Sequence, residues 1–331
     1  MRVALLHNPR PPEPPPDATD DTFEEYDSPA TIAAILDAIR KLGIEADPVV
    51  ADRNLPRHLE DGHYDLAFNI AEGRGRRCRE AIAAAVCELF DLPYSGSDPL
   101  TLAATLDKSV ARRLVSPELR VAPAVLLAGE HDEEALRGMT FPAIVKPNDE
   151  GSSIGIRDDS VVDGVDDAIS LGRYLRERYG CPVLVEAFLA GPEVTVGIVG
   201  NGSHAEILGV MEIAPAGGHS GAPFIYSIDV KRDWRNRVRY HIPPRVSAAT
   251  MAEIETSALT AYRLLGCRDF ARIDFRFDES DRLCFLECNP LPGLDPENSD
   301  LVLMSRKRIT HPGIVQRILT EAATRTGVRL P

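Results

Sequence analysis

Near its C-terminus the chain reads Arg272-Ile273-Asp274-Phe275-Arg276-Phe277, then Asp278-Glu279-Ser280-Asp281, and then Leu283-Cys284-Phe285-Leu286-Glu287-Cys288-Asn289-Pro290. Alternating apolar and polar residues predict a strand from Asp269 to Phe277 and a partner from Leu283 to Asn289, joined by the polar turn. With a two-residue loop, Arg272 lies opposite Glu287 and Asp274 one diagonal step away. The period of two then puts Arg272, Asp274, Glu287 and Asn289 on one face. Ala271, Ile273, Phe275, Cys284, Leu286 and Cys288 form the other, core-facing side. Two carboxylates and an amide oxygen are what Mg²⁺ accepts, with substrate phosphates and water completing its octahedron. An amphipathic hairpin with a solvated outer face shows the same pattern, so the rest of the chain has to decide.

Size and composition narrow the choice. The 331 residues suffice for two or three domains and a large core. A net charge of −14 argues against nucleic-acid or anionic-membrane partners, so an anionic substrate needs a local basic pocket. No run approaches the roughly 20 apolar residues of a membrane span. Val3 to His7 starts a strand at once, with no signal-peptide pattern. Cys78, Cys87, Cys181, Cys267, Cys284 and Cys288 have neither disulfide-framework nor zinc spacing, which fits a reducing cytoplasm.

Along the chain, Arg2 to His7 reads as a buried strand, followed by a Pro-rich acidic loop from Asn8 to about Asp27. Ser28-Pro29 opens a helix to Leu42, stopped by Gly43. Strands at Pro48–Ala51 and Asp65–Ile70 and a helix at Arg79–Phe90 complete an alternation that predicts a parallel sheet. A junction follows at Leu92-Pro93-Tyr94-Ser95-Gly96-Ser97. The central part has a helix from Thr105 to Leu114, strands at Val125–Leu127, Ala143–Lys146 and Val183–Glu186, and a helix near Val165–Tyr179. Beyond Gly191 come strands at Val194–Val199 and Glu206–Ile213 and an irregular stretch through Arg239. A helix at Ala248–Leu265, the hairpin and a helix at Gly313–Ala323 follow.

Three further segments carry chemistry. Ile144-Val145-Lys146-Pro147 delivers a lysine to Glu150-Gly151-Ser152-Ser153-Ile154-Gly155, a loop whose glycines free backbone N–H groups to converge on an oxyanion. It is neither a Walker A loop nor a Rossmann fingerprint, and most such loops are plain turns. Val183 to Leu189 is apolar apart from Glu186, with Gly191-Pro192-Glu193 just beyond: a hinge able to hold a purine, or a strand ending in a surface acid. Lys231, Arg232, Arg235, Arg237 and Arg239 form the one dense basic patch, either solvated charges or a lid over phosphates.

Taken in order, Asp107-Lys108, Val145-Lys146-Pro147, Glu150-Gly151-Ser152-Ser153, Glu186, Gly191-Pro192-Glu193, Arg272-Ile273-Asp274 and Glu287-x-Asn289-Pro290 resemble the ATP-grasp superfamily. More narrowly, they resemble the D-alanine–D-alanine ligase family. Leu264-Leu265-Gly266-Cys267 fits as well, and the likeness runs from about Asp65 to the C-terminus. The resemblance implies a mixed α/β and α+β fold of three domains. These are an N-terminal parallel-sheet, Rossmann-like substrate domain (1–104), a small central ATP-grasp subdomain (105–189) and a C-terminal ATP-grasp domain (190–331). It implies ATP clamped between the last two. Lys108, Lys146, the Gly151-Ser152-Ser153 loop and Lys231 would contact phosphates, Glu186 with the backbone of Ala187 and Leu189 would hold adenine, and Glu193 ribose. Asp274, Glu287 and Asn289 would hold two Mg²⁺ ions, or Mn²⁺ in their place. Arg272 and the Gly293 N–H would stabilise a tetrahedral oxyanion, Arg272 also reaching a substrate carboxylate, and Ser152 would position the first substrate. The implied reaction is peptide-bond formation through an acyl phosphate, D-alanyl-D-alanine for peptidoglycan being the product. The implied partners are amino acids and ATP, and the implied assembly is a homodimer.

The departures from the family pattern fall at the amino-acid sites. Lys231-Arg232 stands where the family has Lys-Tyr, and Phe68-Asn69-Ile70-Ala71-Glu72-Gly73 replaces a histidine-containing segment. Asp27 takes the role of the family's N-terminal glutamate, and Ser299, with Asn298 as the alternative, that of the serine on the substrate carboxylate. A dipeptide ligase acting on a different amino acid or amine, a non-catalytic ATP-binding regulator and a purely structural α/β protein are the competing readings.

Overall fold

The computed structural model describes residues 1–331 except 14, 16, 17, 76 and 218–223. Part of the Pro-rich loop and part of the stretch expected to be irregular therefore lie outside the described residues. The N-terminal unit alternates β1 (Arg2–His7), α1 (Pro29–Arg40), β2 (Glu45–Val50), α2 (Leu55–Gly62), β3 (Leu66–Asn69) and α3 (Ala81–Leu89). Its parallel sheet has the order β2-β1-β3. The Ser28 side chain accepts from the Thr31 N–H and Pro29 fills the first turn, so α1 starts where its cap chemistry says.

One expected helix is two. α4 (Pro99–Leu106) and α5 (Lys108–Val115) are separated by Asp107, whose backbone is extended (φ −81°, ψ 98°). Its carboxylate accepts from the Val110 N–H at 3.0 Å. An aspartate that can cap a helix competes with continuing one, and the break sets Lys108 at the start of α5.

The central sheet comprises β4 (Ala124–Leu127), β5 (Ala143–Pro147), β6 (Val161–Val162) and β7 (Val183–Ala187), in the order β4-β7-β5-β6. α6 (Val165–Tyr179) lies against it through Ala168 and Leu175. The third sheet follows: β8 (Glu193–Val199), β9 (Glu206–Pro215), then helices α7 (Ile228–Arg232) and α8 (Trp234–Arg237), β10 (Val238–His241), α9 (Ala248–Leu265), β11 (Phe270–Phe277) and β12 (Leu283–Asn289). Its order is β10-β9-β8-β11-β12, antiparallel throughout. The basic stretch expected to be irregular is thus partly helical. α10 (Asp300–Ser305) and α11 (His311–Thr326) close the chain. α11 packs on α1 in one core through Ile314, Ile318, Leu319 and Ile35, Ile39, so the C-terminal segment covers the N-terminal unit.

The hairpin register differs from expectation. Asp278 to Arg282 make a longer turn, in which the Asp278 carboxylate accepts from the Ser280 and Arg282 N–H groups. Arg272 therefore faces Asn289, and Asp274 faces Glu287. The register then slips, with Phe275 opposite Phe285, so Leu286 is an extra residue on β12. The bulge reverses the expected faces on the turn side. Phe285 and Leu283 join the α9 core with Ile273 and Phe275, while Cys284 and Leu286 turn to the opposite face.

Candidate active site

The central and third sheets face each other across a cleft, and most strands that border it contribute a charged group, β9 giving only Ile213. β5 places Lys146, β7 Glu186, β8 Glu193, β11 Arg272, Asp274 and Arg276, and β12 Leu286 and Glu287. α7 adds Lys231 and α10 adds Asp300. Apolar walls come from Ile144, Ala187, Phe188, Leu189 and Leu286, the last turned inward by the bulge.

Glu287 is the electrostatic centre. Lys108 Nζ lies 3.4 Å from its Oε2. Burial pushes its carboxyl up, but Lys108, Lys146, Arg272 and Lys231 outweigh burial and hold it at about 2. Asp274 Oδ1 accepts from the Thr195 hydroxyl at 2.5 Å and from Arg272 Nε at 3.0 Å. Arg272 spans Asp274 at 2.8 Å and Asp300 at 3.3 Å. Burial then lowers the Lys231 ammonium, and neighbouring Arg272 lowers it further. Asn289 Oδ1 accepts from the Leu291 N–H at 2.9 Å, two pairs along the ladder from Asp274 and Glu287 and so on the same face. Two carboxylates and an amide oxygen on one face, with Lys108, Lys146 and Lys231 nearby, are a hard-oxygen set that fits Mg²⁺ carrying nucleotide phosphates.

Glu186 is buried between two cations. Arg112 on α5 donates to its Oε1, and Lys146 lies 2.6 Å from Oε2. Burial raises its carboxyl, and Lys146 and Arg112 more than reverse that. Glu193 is pushed up to about 7 by burial, against Arg276 at 3.5 Å. Ala187 and Leu189 line the cleft, the Ala187 N–H donating to the Pro123 carbonyl at 2.9 Å.

The glycine/serine loop is strained: Ser152 and Ser153 have φ of 48° and 62°. Such strain concentrates at functional sites. Two of its N–H groups, expected to converge on an oxyanion, donate to side chains of the Pro-rich loop, Gly151 to Glu25 at 2.9 Å and Gly155 to Asp21 at 3.2 Å. The Ser153 hydroxyl donates to the Tyr226 carbonyl at 2.8 Å. The acids that bond to this loop are thus Glu25 and Asp21 rather than Asp27. Asp27 is instead pushed up to about 7, by burial and then by Asp295. Ser299 Oγ accepts from the Asp295 N–H at 2.6 Å and would stand 3.1 Å from a Cβ on Gly293. The Asn298 N–H donates to Asp295 Oδ1 at 2.9 Å, so Gly293, Asn298 and Ser299 share one tight loop.

Sequence reasoning missed Arg112, Asp300, Arg276 and an acidic group around Arg79. Arg79 bonds Glu25 at 2.8 Å and lies 3.2 Å from Glu150. Glu25, Glu72 and Glu80 bring carboxylate oxygens within 4.8 Å of one another. Burial and then neighbouring Glu25 raise Glu80 to about 8. Its one available signal was the charged pair Arg79-Glu80 just before the apolar run Ala81 to Cys87.

A cleft between two antiparallel sheets, with a lysine-bearing strand, the short helix that places Lys231 and an acidic strand pair around it, defines an ATP-grasp enzyme. The family profile described as D-ala D-ala ligase C-terminus matches residues 121–320. The D-alanine–D-alanine ligase of Geobacter sulfurreducens is 30% identical over 300 residues, 88% of each chain. That of Bordetella petrii is 32% identical over 290 residues, covering 86% of this chain and 84% of the relative. The chain belongs to the D-alanine–D-alanine ligase family, a group of ATP-dependent ligases. Solved structures agree on the fold. The Bacillus anthracis D-alanine–D-alanine ligase complexed with ATP superposes with a TM-score of 0.75 at 18% identity, covering 99% of both chains. The VanG D-Ala:D-Ser ligase of Enterococcus faecalis superposes at 0.72 and 21%, covering 97% of this chain and 99% of the other.

Proposed function

We propose that this protein joins two amino acids in an ATP- and Mg²⁺-dependent reaction through an acyl phosphate, with D-alanyl-D-alanine for peptidoglycan as the product. The observation that carries the reading is Asp274 opposite Glu287, on a cleft face shared with Lys146 and Lys231 and reached by Lys108.

Residue roles follow from charge and position. Phosphoryl transfer needs charge neutralisation and alignment more than a covalent catalyst. Lys108, Lys146 and Lys231 would bind phosphates, with Ser152 and Ser153 adding loop donors. Glu193 would take the ribose, and Glu186, Ala187 and Leu189 the adenine edge. Asp274, Glu287 and Asn289 would hold the metal ions, which supply charge neutralisation at the transferring phosphate when bound. Arg272 and the Gly293 N–H would meet the developing oxyanion, and Ser299 or Asn298 a substrate carboxylate. Asp27 would act at the first amino acid's amine, with Glu25 as the nearer candidate. The acyl phosphate hydrolyses in open water, so the site must close. We further assign residues 1–104, 105–189 and 190–331 to three domains, with a homodimer in the cytoplasm as the working state.

The test is ADP release and product mass with ATP, Mg²⁺ and a panel of amino acids and amines. D-alanyl-D-alanine is expected. No turnover with D-alanine but turnover with another acceptor would move the protein to a dipeptide ligase of different specificity, the reading favoured by Arg232 and by the acids at Glu72 and Glu80. ATP binding without turnover on any acceptor would make it a regulator.

A further inference from the structure

The segment from Asp20 to Glu25 lies between the glycine/serine loop and α7 and bonds to both. On the loop side, Asp21 is fully buried and accepts from the Gly155 N–H at 3.2 Å and the Tyr179 hydroxyl at 2.7 Å. Glu25 accepts from the Gly151 N–H at 2.9 Å. On the α7 side, Arg232, next to Lys231, donates to Glu24 at 2.6 Å, to the Asp20 carboxylate at 3.1 Å and to the Asp20 carbonyl at 2.6 Å. Arg157, just past the loop, joins the two sides through Asp20 at 2.8 Å and Asp229 on α7 at 3.0 Å.

A single exposed ion pair holds two surfaces together only weakly. Here one six-residue segment gathers Arg157, Arg178 and Arg232 on Asp20, beside the buried Asp21 anchor. A guanidinium fork can serve two carboxylates and a carbonyl at once, which a neutral side chain cannot.

We propose that Asp20–Glu25 is an electrostatic strap that fastens α7 over the cleft, with Arg232 the positioning residue that keeps Lys231 inside it. The proposal rests on the ligase reading for its consequence: a fastened α7 keeps water from the acyl phosphate, whose hydrolysis would release ADP without peptide. Because half of the contacts are exposed, closure weakens with salt, as the screening length falls from about 10 Å at 0.1 M to about 3 Å at 1 M.

The experiment compares wild type, Arg232→Gln, Glu24→Gln, the double variant and Arg232→Lys at low and high salt. It measures ADP released per peptide formed. Wild type is expected near one at low salt and higher at high salt. Arg232→Gln is expected to raise the ratio several-fold with little response to salt, the double variant to be no worse than either single one, and Arg232→Lys to fall between. A ratio of one in Arg232→Gln at both salts, or single effects that multiply in the double variant, would overturn the strap. Amide hydrogen exchange across residues 228–232 of the ligand-free protein gives a second readout that needs no turnover. Faster exchange in Arg232→Gln is expected, and unchanged exchange would overturn the proposal. A wild type that turns over with no acceptor would sink the ligase reading alone, leaving exchange to decide the strap.

Discussion

Glu287 sits where the fields of Lys108, Lys146, Arg272 and Lys231 together outweigh its burial. Glu287→Gln preserves the shape and removes the charge. Loss of one well-placed electrostatic group typically costs about 10²–10³ in turnover, and at least that drop in ADP release is expected. Near-normal release would contradict the assignment of Glu287 to the metal and phosphate site. Arg112 is the converse case, a cation whose work is structural. Removing one partner of a buried pair costs about 3–5 kcal/mol. Arg112→Ala should fall near the low end, about 3 kcal/mol by urea unfolding, because Lys146 remains 2.6 Å from Glu186. A loss within error of zero would show that Lys146 alone balances Glu186.

At the scale of elements, the site depends on one bulge and one close approach. The extra residue Leu286 turns an apolar side chain into the cleft while Phe285 stays in the α9 core. α10 lies flat on the third sheet because Gly197 and Gly209, paired across β8 and β9, have no side chains. A Cβ at Gly209 would meet the Met304 carbonyl oxygen at 2.6 Å, a backbone atom that cannot rotate away. Gly209→Ala should therefore lift α10 and withdraw Asp300 from Arg272. Overpacking of this kind costs about 1–3 kcal/mol, and a fall in ligase activity should accompany the lower melting temperature. Unchanged stability and activity would mean that α10 floats free of the sheet. The hairpin was legible in the alternation of its residues, but its partners were not. The five-residue turn and the bulge are set by Asp278 and by packing against α9, and neither leaves a periodic signal. The break at Asp107 was hidden likewise, since the helical pattern continues through it.

For the whole molecule, the buried acids set the pH range of stability. Glu80, ordinarily near 4.5, is raised to about 8 by burial and Glu25, and Glu72 is raised as well, by burial and Glu80. A carboxyl with a raised folded value keeps its proton when the unfolded chain has lost it. Its contribution is full below about 4.5 and is lost as pH climbs through about 8. Glu186 behaves oppositely: its value is lowered, so its contribution is present above its ordinary value and lost on acidification. Stability of the ligand-free protein should thus peak on the mildly acidic side and fall toward pH 8. Glu80→Gln should flatten that fall by an amount on the order of a few kcal/mol, measured by denaturant unfolding at several pH values. An unaltered slope would place the titration elsewhere.

The order of motifs from Lys108 to Asn289, the parallel N-terminal sheet and the two-faced hairpin were all determined by the sequence itself. Each is written locally, as a period of two or 3.6, a cap, or a lysine beside a glycine loop. Only the tertiary structure decided that Asp274 faces Glu287, that Arg112 closes on Glu186 across 74 positions, and that Arg232 reaches Glu24 across 208. An ion pair between residues so far apart depends on how sheets and loops stack, and a charged side chain reads the same in sequence whether it meets water or a partner.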